Sequence, residues 1–139
     1  MKIKEVLMYN DVIKSIIDNG VEISPLMKFK FLGIIVQLKP TVDNFEQTRN
    51  ELIQKYGKVG KDGQFGIIQP NEDDYEKDDA TFANDMEEYQ KTLDTFNKDL
   101  ISILESDIDI TMPKFKANDI MNAGIPSDVL VALYDLIEE

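Results

Sequence analysis

The sequence has 139 residues, 42% of them hydrophobic, which is the size and apolar content of one ordinary globular domain. It contains no cysteine and no histidine, which excludes disulfides, thiolate nucleophiles, zinc held by these residues and a Ser-His-Asp triad. The formal net charge is −12, and residues 62–109 hold fifteen Asp/Glu against three Lys/Arg; such acidity argues against nonspecific binding to nucleic acid or anionic lipid.

The N-terminal segment predicts a short helix at about residues 5–19. Apolar residues recur there at roughly helical intervals, and Asn19-Gly20 is a typical helix stop. No continuous apolar region resembles a secretory signal, and the longest apolar run, Phe31 to Val36, is far shorter than the roughly 20 residues that span a bilayer. We therefore expect neither export nor membrane insertion.

A long second helix is predicted at about residues 25–57. Ser24-Pro25 combines a preferred N-cap with a proline at the first helical position, and Gly57 ends the pattern. Pro40 removes one backbone donor, so we expect a kink or a break near it, with two helices in line as the alternative. The predicted interior seam alternates steps of four and three residues, at Phe31, Ile35, Leu38, Val42, Phe45, Arg49, Leu52 and Tyr56.

The connection that follows predicts a turn, a short strand and an acidic loop. Lys61-Asp62-Gly63 is a turn signal, and residues 64–69 have β-type composition before Pro70. Clustered carboxylates can bind Ca²⁺, and an EF-hand loop needs a glycine at its sixth position. A loop that starts at Asp73 or Asp74 has no glycine there, so a solvated acidic face is the favoured interpretation. The carboxylates of this loop are Glu72, Asp73, Asp74, Glu76, Asp78 and Asp79.

The third helix, at about residues 81–104, has the most regular pattern in the chain. Its seam repeats the four-three spacing at Phe82, Met86, Tyr89, Leu93, Phe96, Leu100 and Ile103. Two seams of similar length joined by a return connection predict a long antiparallel helical hairpin, whose arms bury on each other or on a second copy.

The C-terminal part predicts a strand and a final helix. Residues 107–112 alternate polar and apolar side chains, which indicates a half-buried strand that could pair with residues 64–69. A last helix is expected at about residues 127–138. Asp107 and Asp109 could serve a metal-dependent enzyme if a third acid joined them in a cleft, but two carboxylates on a solvent face are the favoured interpretation.

Two further features of the sequence bear on function. Arg49, the only arginine, occupies a seam position. Its guanidinium could pair with an acid of a facing helix or of a partner subunit. The favoured interpretation is that its aliphatic stem packs along the seam edge while the guanidinium reaches water. The glycines between Gly57 and Gly66 fit neither the phosphate loop nor the dinucleotide fingerprint. We therefore expect no cofactor and no catalytic residue.

The segment from Arg49 to Gly57, with the sequence RNELIQKYG, carries a resemblance. Together with the Asp62-Gly63 turn region and the C-terminal helix, it resembles a widespread family of small uncharacterised tailed-bacteriophage proteins that share a helix ending R-x-x-L-I-x-K-Y-G, a D-x-G turn and an L-x-x-L helix. The resemblance implies a phage origin and a role in the virion or its morphogenesis.

The sequence thus predicts a single α+β domain, mainly α, with a long antiparallel helical hairpin, a small two-stranded β element and short terminal helices. We expect a non-enzymatic phage protein that acts in the virion or the host bacterial cytoplasm by binding a phage structural protein, with homo-oligomers possible and no direct nucleic-acid or membrane binding. The alternative is an inhibitor of a host enzyme that mimics nucleic acid. The predicted interaction residues are Arg49, Tyr56, Glu72, Asp73, Asp74, Glu76, Asp78 and Asp79.

Overall fold

The structure, a computed structural model, describes residues 1–19, 22–76 and 80–138. It confirms the α+β, mainly α class, since 68% of the described residues are helical and they form five helices and two pairs of short strands. The elements are α1 (Ile3–Asp18), α2 (Pro25–Tyr56), β1 (Lys58–Val59), β2 (Phe65–Gly66), α3 (Ala80–Leu104), β3 (Phe115–Lys116), α4 (Ala117–Met121), α5 (Ser127–Ala132) and β4 (Ile137–Glu138).

The chain divides into two compact units, and α2 runs through the boundary between them. Unit 1 comprises Met1–Asn44 and Glu105–Glu139, and unit 2 comprises Phe45–Leu104. The sequence had predicted a single domain without this division.

The first two helices begin and end near their predicted positions. Asn19 closes α1 with a bond from its N–H to the carbonyl of Ser15, while Gly20 of the predicted stop lies outside the described residues. The hydroxyl of Ser24 accepts from the N–H of Met27 at 3.2 Å, which caps α2 as its sequence indicates. The helix continues through Pro40.

The core of unit 1 forms between α1, the first half of α2 and the C-terminal elements. Phe31 is fully buried and its ring lies 5.2 Å from that of Phe115. The buried positions of α2 step by four and three residues, at Met27, Phe31, Ile34, Leu38 and Thr41. This packing on both sides of Pro40 explains why the missing backbone donor does not end the helix.

The predicted strand at residues 107–112 is replaced by an extended segment. Only Asp107 pairs, in an isolated antiparallel bridge with Lys2, and the N–H of Ile108 donates to the carbonyl of Met1 at 2.8 Å. The polar-apolar alternation is real, because Ile108 and Ile110 pack against the core while Asp109 is exposed. The predicted pairing with residues 64–69 was wrong: β2 pairs with β1, its neighbour across a local turn.

The C-terminal helix is shorter than predicted. After α5, Tyr134–Leu136 forms a 3₁₀ turn, and β4 then pairs in parallel with β3. Leu133 and Leu136 are both buried, and their spacing of three residues matches the three-residue period of a 3₁₀ helix. The tighter turn thus buries both leucines and leaves the last residues extended for strand pairing.

Unit 2 contains a helical arm, defined here as residues Phe45–Tyr56 of α2 together with α3. The two helices form the predicted hairpin, and every predicted seam position of α3 is half-buried, at Phe82, Met86, Tyr89, Leu93, Phe96, Leu100 and Ile103. None of the residues of α3 is fully buried.

Among the described residues, no helix combines the length and apolar content needed to cross a membrane.

Candidate interaction surface

Arg49 lies outside the seam to which the sequence assigned it. The residue is exposed, and no described carboxylate forms an ion pair with it. Burial along the arm passes instead from Phe45 through Thr48 to Leu52. These positions continue the four-three steps of the buried face of α2, which follows a different phase of the repeat from the predicted seam. The placement agrees with the interpretation in which the guanidinium reaches water.

Tyr56 serves the internal packing of the arm. The side chain is half-buried, and its hydroxyl donates to Oδ2 of Asp99 at 2.7 Å. The ammonium of Lys55 lies 5.0 Å from the Tyr56 ring centroid. A hydrogen bond to a carboxylate is stronger than one between neutral groups, so this contact fixes the end of α2 against α3.

The acidic loop is anchored at its start by a small turn. Residues Glu72–Asp74 form a 3₁₀ turn that Asn71 caps, since its side-chain oxygen accepts from the N–H of Asp73 at 3.1 Å. Lys61 Nζ lies 3.3 Å from the carbonyl oxygen of Asp74 and 3.7 Å from its Oδ1. The carboxylates of this turn remain exposed.

A tyrosine orders the next part of the loop. The hydroxyl of Tyr75 donates to Oδ2 of Asp85 at 2.6 Å, and its ring meets that of Phe82 edge-on at 5.2 Å. Glu76 is exposed, whereas Asp78 and Asp79 lie outside the described residues. The acidic tract thus begins as a supported surface loop, and its described acids face solvent.

The described residues do not bring carboxylates together as a metal site. None of their His, Cys, Asp and Glu side chains form a group of three or more that could hold a metal ion. Asp107 and Asp109 are both exposed. The third converging acid that a metal-dependent reaction would need is absent from this part of the chain.

A cleft in unit 2 is too small for a substrate of ordinary size. Its volume is about 90 Å³, and its lining includes Tyr56, Lys58, Asp85 and Tyr89. Sites for small molecules usually enclose at least roughly 300 Å³. The cleft has room for water molecules and little else.

An apolar ridge on α2, formed by Leu26, Phe29, Leu32 and Val36, was not predicted from the sequence. These side chains are 64%, 75%, 43% and 71% exposed, respectively. At 100° per residue, Phe29, Leu32 and Val36 lie on the side of the helix opposite to the buried face, and Leu26 lies at the flank of that face. A helical-wheel plot would have shown it, since the first half of α2 is apolar on two faces and only one was assigned to the core.

Unit 1 also has an open apolar groove, which we call the C-terminal groove. Its volume is about 780 Å³, and it is lined by residues of α4, α5, the 3₁₀ turn that follows and β4. Met121, Val131 and Tyr134 line it and are 61%, 75% and 68% exposed. Sequence periodicity could not have revealed it, because it depends on how these short elements fold together.

A charged cluster ties the N-terminus of unit 1 to the segment after α3. Nζ of Lys2 donates to Oε2 of Glu105 at 2.6 Å, and Nζ of Lys4 donates to the other carboxylate oxygen. These two hydrogen bonds lower the pKa of Glu105 from 4.5 to about 2, and the bond to Glu105 raises the pKa of Lys2. The groups are partly exposed, so the cluster is a structural tie whose strength salt would reduce.

Comparisons of the chain with protein-family models, with curated proteins and with solved structures find no match. The resemblance to tailed-phage proteins stays a prediction.

Proposed function

We propose that this chain is a non-enzymatic protein-interaction module of a bacteriophage virion or of its assembly. The observation that carries the interaction part is the presence of two exposed apolar surfaces on unit 1, the α2 ridge and the C-terminal groove. Single exposed apolar side chains are ordinary, whereas clusters of them mark sites where another macromolecule binds.

The phage part of the proposal rests on the resemblance of the segment from Arg49 to Gly57. The partner would be a capsid, portal, neck or tail protein, and the chain would act in the virion or in the host bacterial cytoplasm. Since Arg49 is exposed on the helical arm, it would be available to such a partner, as would the exposed acids Glu72, Asp73 and Glu76.

Mass spectrometry of purified virions and of assembly intermediates from the phage that encodes this chain tests the proposal. We expect the protein in one of these fractions, and reduced recovery when Phe29→Glu places a charge on the ridge. Val59→Glu is the matched control, because Val59 is also apolar and 66% exposed but lies in unit 2. Absence of the wild-type protein from every particle and intermediate would overturn the virion role.

The nucleic-acid mimic stays an alternative prediction with less support. A mimic presents carboxylates in a phosphate-like row, whereas several acids of unit 2 are engaged within it. Lys91 lies 3.3 Å from Glu87, and Asp85 and Asp99 each accept a tyrosine hydroxyl. A low-salt pull-down from host lysate that captured a nucleic-acid enzyme, and lost it steeply with added salt, would favour the alternative over the virion role.

A further inference from the structure

We infer that the α2 ridge of one copy of this chain docks into the C-terminal groove of a second copy. The inference rests on the proposed function and specifies one partner, a further copy of the same chain. Both surfaces belong to unit 1, so every molecule carries one of each.

One surface projects from a helix and the other is a depression. The ridge is a convex helical face about 15 Å long, given the rise of 1.5 Å per residue from Leu26 to Val36. Its anchors recur at helical spacing, as in complexes where an amphipathic helix lies in an apolar groove. The C-terminal groove has a volume of about 780 Å³, and its lining includes the apolar side chains of Met121, Val131 and Tyr134.

The area available suits a reversible contact. With roughly 150–200 Å² for each large side chain, the exposed fractions leave about 450 Å² on the ridge and about 350 Å² on Met121, Val131 and Tyr134 of the groove. Covering both surfaces buries about 800 Å², below the roughly 1,000 Å² of a stable specific interface, so the contact is a weak one. Assembly should therefore depend on protein concentration.

Charge distinguishes ridge-to-groove docking from a contact between two ridges. Lys28 and Lys30 lie on α2 beside the ridge, and no described carboxylate forms an ion pair with either, whereas Lys39 is paired with Asp43 at 2.9 Å. Asp135 lines the groove. Two ridges in contact would bring Lys28 and Lys30 of both copies together, while a ridge in the groove places them near the Asp135 carboxylate. The complementary arrangement is the favourable one.

Gly33 supports close approach by another chain. It lies inside α2, away from either end and beside Leu32, and a Cβ added to it would meet no atom within 4 Å. Glycine at such a position destabilises a helix by about 1 kcal/mol relative to alanine, and packing within the chain does not require it. A small residue at the ridge would let the wall of a groove come nearer to the helix backbone.

Docking between two different surfaces has a consequence for assembly. A contact of this kind leaves one free ridge and one free groove on every pair, so association continues until a ring closes or a filament forms. Either product would suit the assembly role proposed above.

Sedimentation velocity on the full chain, from a few micromolar to about 100 µM, tests the inference. We expect the wild type to form species larger than a dimer, and Phe29→Glu in the ridge or Val131→Glu in the groove to weaken association roughly tenfold or more. Both positions are 75% exposed, so the variants should keep their folds, which circular dichroism checks. Val59→Glu is the control that should associate like the wild type.

Mixing the two variants is the decisive step. Each alone lacks one of the two surfaces, but a Phe29→Glu molecule keeps its groove and a Val131→Glu molecule keeps its ridge. The mixture should therefore form a one-to-one pair that grows no further. A mixture that stays monomeric overturns the inference, as does full association of Val131→Glu alone, which would show that ridges bind each other.

The result also separates this inference from the proposed function. A wild-type chain that is monomeric at about 100 µM overturns self-assembly. If that monomer were still found in virions, and Phe29→Glu reduced its incorporation, the proposed function would stand with a different protein in contact with the ridge.

Discussion

Phe29 and Phe31 provide the most direct test of how α2 is oriented. They lie two residues apart on one helix, yet Phe31 is 0% exposed and Phe29 is 75% exposed. Replacing the buried ring by alanine removes its transfer free energy and leaves a cavity, at a cost of about 3–5 kcal/mol. It also removes the ring contact with Phe115 at 5.2 Å, and such pairs contribute about 1 kcal/mol.

The matched change at Phe29 should cost almost nothing in folding. An exposed side chain loses little on truncation, and alanine is the better helix former, so Phe29→Ala should stay within about 0.5 kcal/mol of wild type. Denaturant unfolding followed by the helical circular dichroism signal measures both variants; the chain has no tryptophan to follow. The measurement should be made at low protein concentration, where association does not contribute.

The free energies of unfolding of these two variants test whether Phe29 faces solvent and Phe31 faces the core. A loss above about 2 kcal/mol for Phe29→Ala would place that ring in the core and remove the basis for docking. A loss below about 1 kcal/mol for Phe31→Ala would show that the assigned core face is wrong. Phe31→Leu, which keeps most of the volume, should lie between wild type and Phe31→Ala.

Three further changes test the other contacts. Glu105→Gln should lower the unfolding midpoint at pH 7. Because folding lowers the pKa of Glu105 from 4.5 to about 2, the charged carboxylate stabilises the fold fully above pH 4.5, and this stabilisation is lost as the pH falls to about 2. The difference in midpoint from wild type should therefore vanish near pH 2, and it should shrink with added salt. Tyr56→Phe removes the 2.7 Å bond to Asp99 and should cost about 1 kcal/mol in denaturant unfolding. The effect should be absent in an Asp99→Ala background, which has no acceptor at this position, if the bond is its cause. Gly33→Ala should stabilise the monomer by about 0.5–1 kcal/mol in the same assay, and a destabilised variant would mean that the position is not free.

The long helices could be predicted from sequence because several local signals agree there. The expected ranges 25–57 and 81–104 compare with Pro25–Tyr56 and Ala80–Leu104 in the structure. For α2, Ser24 supplied the cap and Gly57 the stop, and amphipathic spacing extends over many turns. When the cap, the stop and the amphipathic spacing all agree, they determine both the type of element and its bounds.

The short elements could not be predicted, because their conformation depends on distant partners. The alternation of residues 107–112 fits a strand equally well whether its neighbour is β2 or the N-terminus, and only tertiary contacts select Lys2. The apolar spacing after Ser127 fits both an α-helix and the 3₁₀ turn that forms. The local sequence indicates which side chains are buried in these elements, but it does not determine which backbone groups form hydrogen bonds with each other.

The candidate site was predicted only in part. The acids from Glu72 to Glu76 are surface residues as expected, but Tyr56 is used inside the arm and Arg49 left its predicted position. The ridge was not predicted because the first half of α2 is apolar on two faces, and one amphipathic stripe already accounts for a core face. The C-terminal groove arises from four short elements, so no single stretch of sequence shows it.

The shallow burial of α3 has a consequence for how the chain opens. With no residue of this helix fully buried, few apolar contacts oppose its transient separation, whereas α1 is held by five buried residues. Amide protons of α3 should therefore exchange with solvent deuterium through local unfolding, well before those of α1, and limited proteolysis should cut the arm first. A partner that binds the arm would slow both hydrogen exchange and proteolysis in α3. The exchange rates of α3 would therefore detect binding of a partner to the arm without a label on the protein.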